Sequence, residues 1–460
     1  MGLRKYLSPH AKVTAEKRWG YCAGRVSFCY IEGAAQRTPR EPMDSIASVP
    51  FISVAPFAAT LAGIAVLPLA APKFWDHHRN KAVFALLLAL PVAIWLLLTN
   101  ASLLAHTVRD YVSFLCLLGS LFVITGGVHL GGDLPGHPRT NTTILAIGAA
   151  LASVLGTTGA SMVLIRLLLR TNSERRHTSH IPFFFILLVS NAGGLLTPLG
   201  DPPLFLGFLR GVPFTWTLRL LPIWLMTVGY LLVLFYWFDR RAYRREAAPD
   251  IAHDESEVIP LTIEGKLNFV WLAFVVLSVF LPTPTRELVM LLASAASLLL
   301  GPQAGRKKNQ FNFAAITEVA ILFAGIFITM APALLLLEQK GPALGLHAPW
   351  HFFFVSGALS SVLDNAPTYL TFLTAAQSTA ASLGLAPAVV AVPASFLAAI
   401  SAGSVLMGAN TYIGNGPNFM VKSMAESAGY RMPSFGRYAL MAIGVLAPVY
   451  AVTAVLVGLY

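Results

Sequence analysis

Two acids, Asp201 and Asp364, lie inside apolar stretches, each in a run that a continuous helix cannot hold. Asp201 closes the run Ser190-Asn191-Ala192-Gly193-Gly194-Leu195-Leu196-Thr197-Pro198-Leu199-Gly200-Asp201, and Pro202-Pro203 follow. Asp364 opens Asp364-Asn365-Ala366-Pro367 and is the only acid in an apolar block, 351–377, that has no Lys or Arg. A third run, 401–418, carries Asn410, Thr411, Gly414, Asn415, Gly416 and Pro417. Pro removes a backbone donor and Gly relaxes the chain, so each run predicts a broken helix. At membrane depth such a break survives only where it is buried in protein or lines a wet cavity. Unwound carbonyls with Asn, Thr and Ser oxygens suit Na⁺, while half-helix N-termini offer positive dipole ends to an anion. Burial disfavours the charged form of a carboxylate and a second carboxylate does so further, which lets such an acid exchange a proton for Na⁺.

These runs need a membrane bundle around them, and the composition supplies one. Of 460 residues 56% are hydrophobic and 12% charged, against about 25% charged in a soluble domain. Apolar blocks run over 51–72, 82–100, 111–130, 142–169, 181–209, 216–238, 267–282, 286–301, 317–337, 351–377, 387–421 and 436–459. A spanning helix needs roughly 20 such residues, so ten or so crossings are expected and the lipid bilayer is the principal partner. The net charge of +11 sits in the N-terminal tail and in short loops, as the positive-inside rule expects of a membrane protein. It is therefore no signature of nucleic acid.

The longest connector, 239–266, is Arg-rich and halves the apolar part. It predicts a cytoplasmic linker between a first transmembrane repeat, 46–238, and a second, 267–460. The halves repeat. Ser153-Val154-Leu155-Gly156-Thr157-Thr158-Gly159 aligns with Ser361-Val362-Leu363-Asp364-Asn365-Ala366-Pro367, and 197–205 aligns with 411–419, at offsets that differ by six residues. In this register Asp201 faces Asn415 and Thr157 faces Asn365. Residues 1–45 form a basic tail with eight Lys/Arg before Met43. Two readings of it stand side by side: translation that starts at Met43, and a disordered cytoplasmic tail.

The runs at 190–201 and 364–367 resemble the NhaD-type sodium/proton antiporters and, more widely, the ion-transporter superfamily, with the CitMHS-like citrate-transporter branch as the nearest match. The resemblance covers about 51–459. It implies an all-α polytopic membrane protein of two inverted-repeat halves, with broken helices and re-entrant hairpins. It also implies a location in the inner membrane and a homodimer held through a scaffold, against which the site-bearing bundle moves. Carried across residue by residue, it implicates Asn191, Thr197, Asp201, Asp364, Asn365, Asn410, Thr411 and Asn415 in ion or substrate binding, with Thr157 at the aligned position of the first repeat. Of these, Asn191, Asp201, Asp364, Asn365 and Asn410 are the Na⁺ candidates. The chain departs from the antiporter pattern at Gly156-Thr157, where that pattern has Asp-Asn.

The expected function is a cation-coupled secondary transporter, with Na⁺/H⁺ antiport ahead of Na⁺- or H⁺-coupled symport of citrate or another carboxylate. No cofactor is expected beyond Na⁺ and H⁺ as transported or coupling ions. No Walker-type Gly-x-x-x-x-Gly-Lys occurs, which argues against ATP as the energy source. An intramembrane aspartyl protease needs Gly-x-Gly-Asp, and position 198 is Pro; an enzyme is not expected. Bland alternatives attach to each residue. Asp201 could be satisfied by its own turn, Asp364 could cap a half-helix, and the Asn residues could serve loose backbone. Glu287 and Glu318 read as first-turn acids. Arg166 and Arg170 read as snorkelling, and His129 as interfacial.

Overall fold

The computed structural model describes residues 50–256 and 258–460. The expectation for the basic tail, 1–45, lies outside the described residues. The first half contains α1 (Ala55–Ala70), α2 (His78–Thr99), α3 (Ala101–Gly126), α4 (Pro138–Arg170), α5 (His180–Leu188), α6 (Pro202–Leu209) and α7 (Leu221–Tyr243). The second contains α8 (Asn268–Ser278), α9 (Thr285–Leu300), α10 (Ala314–Lys340), α11 (Pro349–Ser360), α12 (Asn365–Ser382), α13 (Ala394–Met407), α14 (Gly416–Ser427) and α15 (Phe435–Leu456). The chain is an all-α polytopic membrane protein. Among the described residues seven stretches are long and apolar enough to span, fewer than the apolar blocks. The difference has a local cause: the blocks at 181–209, 351–377 and 387–421 each divide into two short helices at their Gly, Pro and Asn residues.

The outer helices wear their apolar side chains outward. Leu98 of α2 is 80% exposed and Leu440 of α15 is 75% exposed, a cost in water that lipid removes. The centre is sealed instead by α4, α5, α10 and α13. From Ile181 through Val189 all but Pro182 are buried apolar residues of one continuous core, which also takes in 396–400 of α13. A helix that is apolar all round belongs in such a place.

Three features depart from the sequence reading. The segment 239–266 is more than a connector: Asp239 still belongs to α7, and Ile259–Glu264 forms a strand (β2) that pairs antiparallel with His129–Asp133 (β1) in the first half. His129, expected at an interface with lipid, is buried and shares a 2.8 Å hydrogen bond with Asn309. Arg170, expected to snorkel, donates to the carbonyls of Gly132 and Leu130 of β1 at 3.1 and 2.7 Å. Glu287 does stand in the first turn of α9, where it accepts from Ser113 at 2.6 Å. Glu318 pairs with the buried Lys81 at 2.6 Å.

An ionic latch closes the C-terminal ends of α4 and α7. Arg175 donates to Asp239 at 2.7 Å and lies 3.7 Å from Glu246, and Asp239 also takes Asn141 and His180. Burial alone would lift the Glu246 carboxyl, yet the amides of Arg176 and His177, at 3.0 and 2.9 Å, with the His177 ring and Arg175, hold it below its usual range. A depressed acid stabilises the fold above its unfolded value of 4.5, and that contribution is lost as pH falls through the lower folded value. Thermal stability of the purified protein is therefore expected to drop as pH falls below about 4.5, and Glu246→Gln, less stable at pH 7, flattens that drop. A melting-temperature series from pH 7 to 3.5 on both proteins checks it.

Candidate functional site

The breaks are built twice, by matching hydrogen bonds. In the first half the Ser153 hydroxyl donates to the Gly193 carbonyl at 2.5 Å, and the Thr197 hydroxyl donates to the Ser153 carbonyl. In the second, Ser361 donates to Met407 at 3.0 Å and Thr411 to the Ser361 carbonyl at 2.5 Å. Thr197 then accepts the amide of Leu199, and Thr411 that of Ile413. These partners stand at the offsets seen in the sequence repeat. Glycine pairs recur with them. A Cβ on Gly200 would strike the Gly194 backbone, and one on Gly414 would lie 2.6 Å from the Gly408 carbonyl.

Each break starts a half-helix. α6 begins behind Asp201 and α14 behind Asn415, both extended at the cap (φ −139 and −152). α12 begins behind Asp364. In α4 the break is Gly156, at φ 75 and ψ 152, after which the helix resumes at Thr157. That φ is left-handed territory, which glycine enters readily and aspartate far less so. This explains why the chain has glycine at the position aligned with Asp364.

All four starts meet at Asp201, which is 1% exposed. One carboxylate oxygen accepts from Thr157 at 3.0 Å and from Asn415 at 3.1 Å. The other accepts from Asn365 at 2.5 Å. Asp201 draws no hydrogen bond from its own turn, so it is a meeting point for both halves of the chain. Among the described residues it makes no ion pair. A carboxylate so enclosed is held only by neutral donors, an arrangement that favours a cation beside it.

The other candidates sort by what their atoms already do. Asn191 donates to the Ile186 carbonyl and to Asn418, and accepts from Asn415. Asn410 donates to the Ser361 hydroxyl and accepts from Tyr450 at 2.7 Å. Thr197 and Thr411 close their own breaks. These four are therefore brought to the site's walls, with their polar atoms engaged by protein. Asp364 caps α12, one oxygen accepting from Ala366 at 3.0 Å, while its other oxygen has no hydrogen-bond partner among the described residues. The Asn365 side-chain amide oxygen is buried and unpaired. Two oxygen acceptors are thus left over at the start of α12, one of them on Asn365, which is bonded to Asp201.

Two residues escaped the sequence reading. Asn418 ties the Gly408 and Thr411 carbonyls at 2.9 Å each and accepts from Asn191 across the halves. Its one sequence signal was its place in the third run. Tyr450, on the last helix, carried no signal, because nothing local marks a tyrosine as an asparagine's partner.

A search of curated proteins finds no match. The model of a family described as "Putative citrate transport" matches residues 46–457, which takes in every helix from α1 to α15. The chain belongs to this family of membrane transporters.

Proposed function

We propose that the protein is a cation-coupled carrier of a carboxylate such as citrate, located in the inner membrane. The observation that carries the reading is the convergence of four half-helix N-termini on one buried carboxylate, with spare acceptors at the start of α12. Asp201, Asp364 and the Asn365 side-chain amide oxygen form a hard-oxygen set for Na⁺, or hold the proton that replaces it. The loaded cation and the half-helix N-termini together then favour an anionic substrate. In this reading the two halves are inverted repeats, and the site belongs to one bundle, built on α4 to α6 and α11 to α14, that moves against the remaining helices. Those helices also form the homodimer contact.

A second reading, Na⁺/H⁺ antiport, is favoured by a different observation. None of the segments at 156–159, 190–203, 364–367 and 401–418 carries Lys or Arg, so the centre holds acids and hard oxygens without a side-chain cation for an anion. Proteoliposomes separate the two. Na⁺- or H⁺-dependent uptake of labelled citrate supports the carrier. Collapse of an imposed pH gradient on adding Na⁺ or Li⁺, with no citrate uptake, supports the antiporter.

Asp364→Asn isolates charge from capping. Asn caps a helix about as well as Asp, so stability is expected to change by less than about 0.5 kcal/mol. Coupled transport is expected to fall about tenfold or more, as the removal of one charged ligand worth roughly 1.5 kcal/mol implies. Uptake and melting temperature measured on the same preparation check both halves of the expectation.

A further inference from the structure

A cavity of about 590 Å³ lies away from Asp201, between the C-terminal half of α4, the turn 309–312 before α10, and α14. Its α4 wall is Met162, Arg166, Leu169 and Arg170, and its α14 wall includes Met420 and Ser423. These walls are the same two half-helices that begin at the site. At 1.5 Å per residue, Arg166 stands roughly 13 Å along α4 from Thr157, and Met420 roughly 7 Å along α14 from Asn415. Among the described residues no Asp or Glu lines the cavity.

Arg166 is half-buried and, among the described residues, makes no hydrogen bond or ion pair. Arg170, one turn further on, is occupied by the β1 carbonyls. An unpaired guanidinium on a spanning helix is unfavourable, most of all near the helix centre, and Arg166 stands one turn before the C-terminal end of α4. Its side chain lines this open cavity. The cavity neighbours the basic segments 170–176 and 305–308, which the positive-inside rule puts on the cytoplasmic side.

We propose that this cavity is the cytoplasmic vestibule of the transport path, and that Arg166 is its capture residue for a di- or tricarboxylate anion. The proposal rests on the carboxylate reading above. Its size is that of a small-molecule site, about 300–1,000 Å³, and two guanidiniums in walls that hold no acid among the described residues raise the local concentration of an anion. The substrate waits there before the Asp201 centre accepts it.

The test uses the full-length protein in proteoliposomes. Arg166→Gln is expected to raise the KM for citrate about tenfold, the lower end of electrostatic steering effects, with the maximal rate retained. Arg166→Lys recovers part of the loss, and high salt narrows the gap between wild type and Arg166→Gln. Ser423→Cys is made in a protein whose Cys22, Cys29 and Cys116 are replaced by Ser. A membrane-impermeant maleimide is expected to label it from the cytoplasmic face, and citrate to slow the labelling. Wild-type citrate uptake with an unchanged KM in Arg166→Gln and no citrate protection of the cysteine overturns the vestibule. Labelling only from the opposite face overturns it as well. A wild type that moves no carboxylate at all overturns the carrier reading and this proposal with it, an outcome distinct from the other two.

Discussion

Asp201→Asn is expected to abolish coupled transport while the protein still reaches the membrane. The carboxylate accepts three side-chain hydrogen bonds, from Thr157, Asn365 and Asn415. An amide offers one oxygen and presents an NH₂ to at least one of those donors. Each charge-assisted bond lost is worth about 1.5–3 kcal/mol, which corresponds to roughly 10- to 100-fold in affinity for a cation at the site. Losing the charge and disordering its donors act together, so uptake should fall by about 100-fold or more. The measurement is initial-rate uptake of labelled citrate, with expression and melting temperature as controls. Uptake within a few-fold of wild type would place the coupling ion elsewhere. The Thr157→Val variant removes only one neutral donor and should lose far less, about 1 kcal/mol.

Gly200→Ala carries the second large effect, this time on folding. A methyl there would sit on the Gly194 backbone, where the contact leaves no side chain to swing away. Its counterpart Gly414→Ala would meet the Gly408 carbonyl at 2.6 Å and the Ser360 carbonyl at 2.7 Å. Overpacking in a core costs about 1–3 kcal/mol, and more where backbone must move. Both variants are expected to lose about 3 kcal/mol or more of stability and to show almost no uptake. Gly416→Ala, two residues from Gly414 and with open space around its Cβ position, is the control and should be nearly silent. Thermal unfolding of the three proteins in one detergent decides the matter. Equal losses in all three would mean that helix-end glycines matter here for backbone freedom and not for close approach.

The sequence by itself determined where the helices break. Gly, Pro and Asn act on the backbone within a few residues, so the interruptions at 190–201, 364–367 and 401–418 were legible without any partner. The repeat was legible for the same reason: Ser153 with Thr197, and Ser361 with Thr411, are local devices copied at nearly one offset. Which polar atoms remain free was a tertiary decision. Asn191, Thr197, Asn410 and Thr411 have the right chemistry for an ion, yet neighbouring carbonyls, Ser361, Asn418 and Tyr450 engage them. Asp201 stood out in the sequence as an acid inside an apolar run, but only the meeting of Thr157, Asn365 and Asn415 from three other breaks makes it the centre. Those residues lie 44, 164 and 214 positions away in the chain. No local propensity reports a convergence over such separations, because it is set by how both halves pack. The β1–β2 pair and the isolation of Arg166 are of the same kind: each follows from what the fold brings near, or leaves alone.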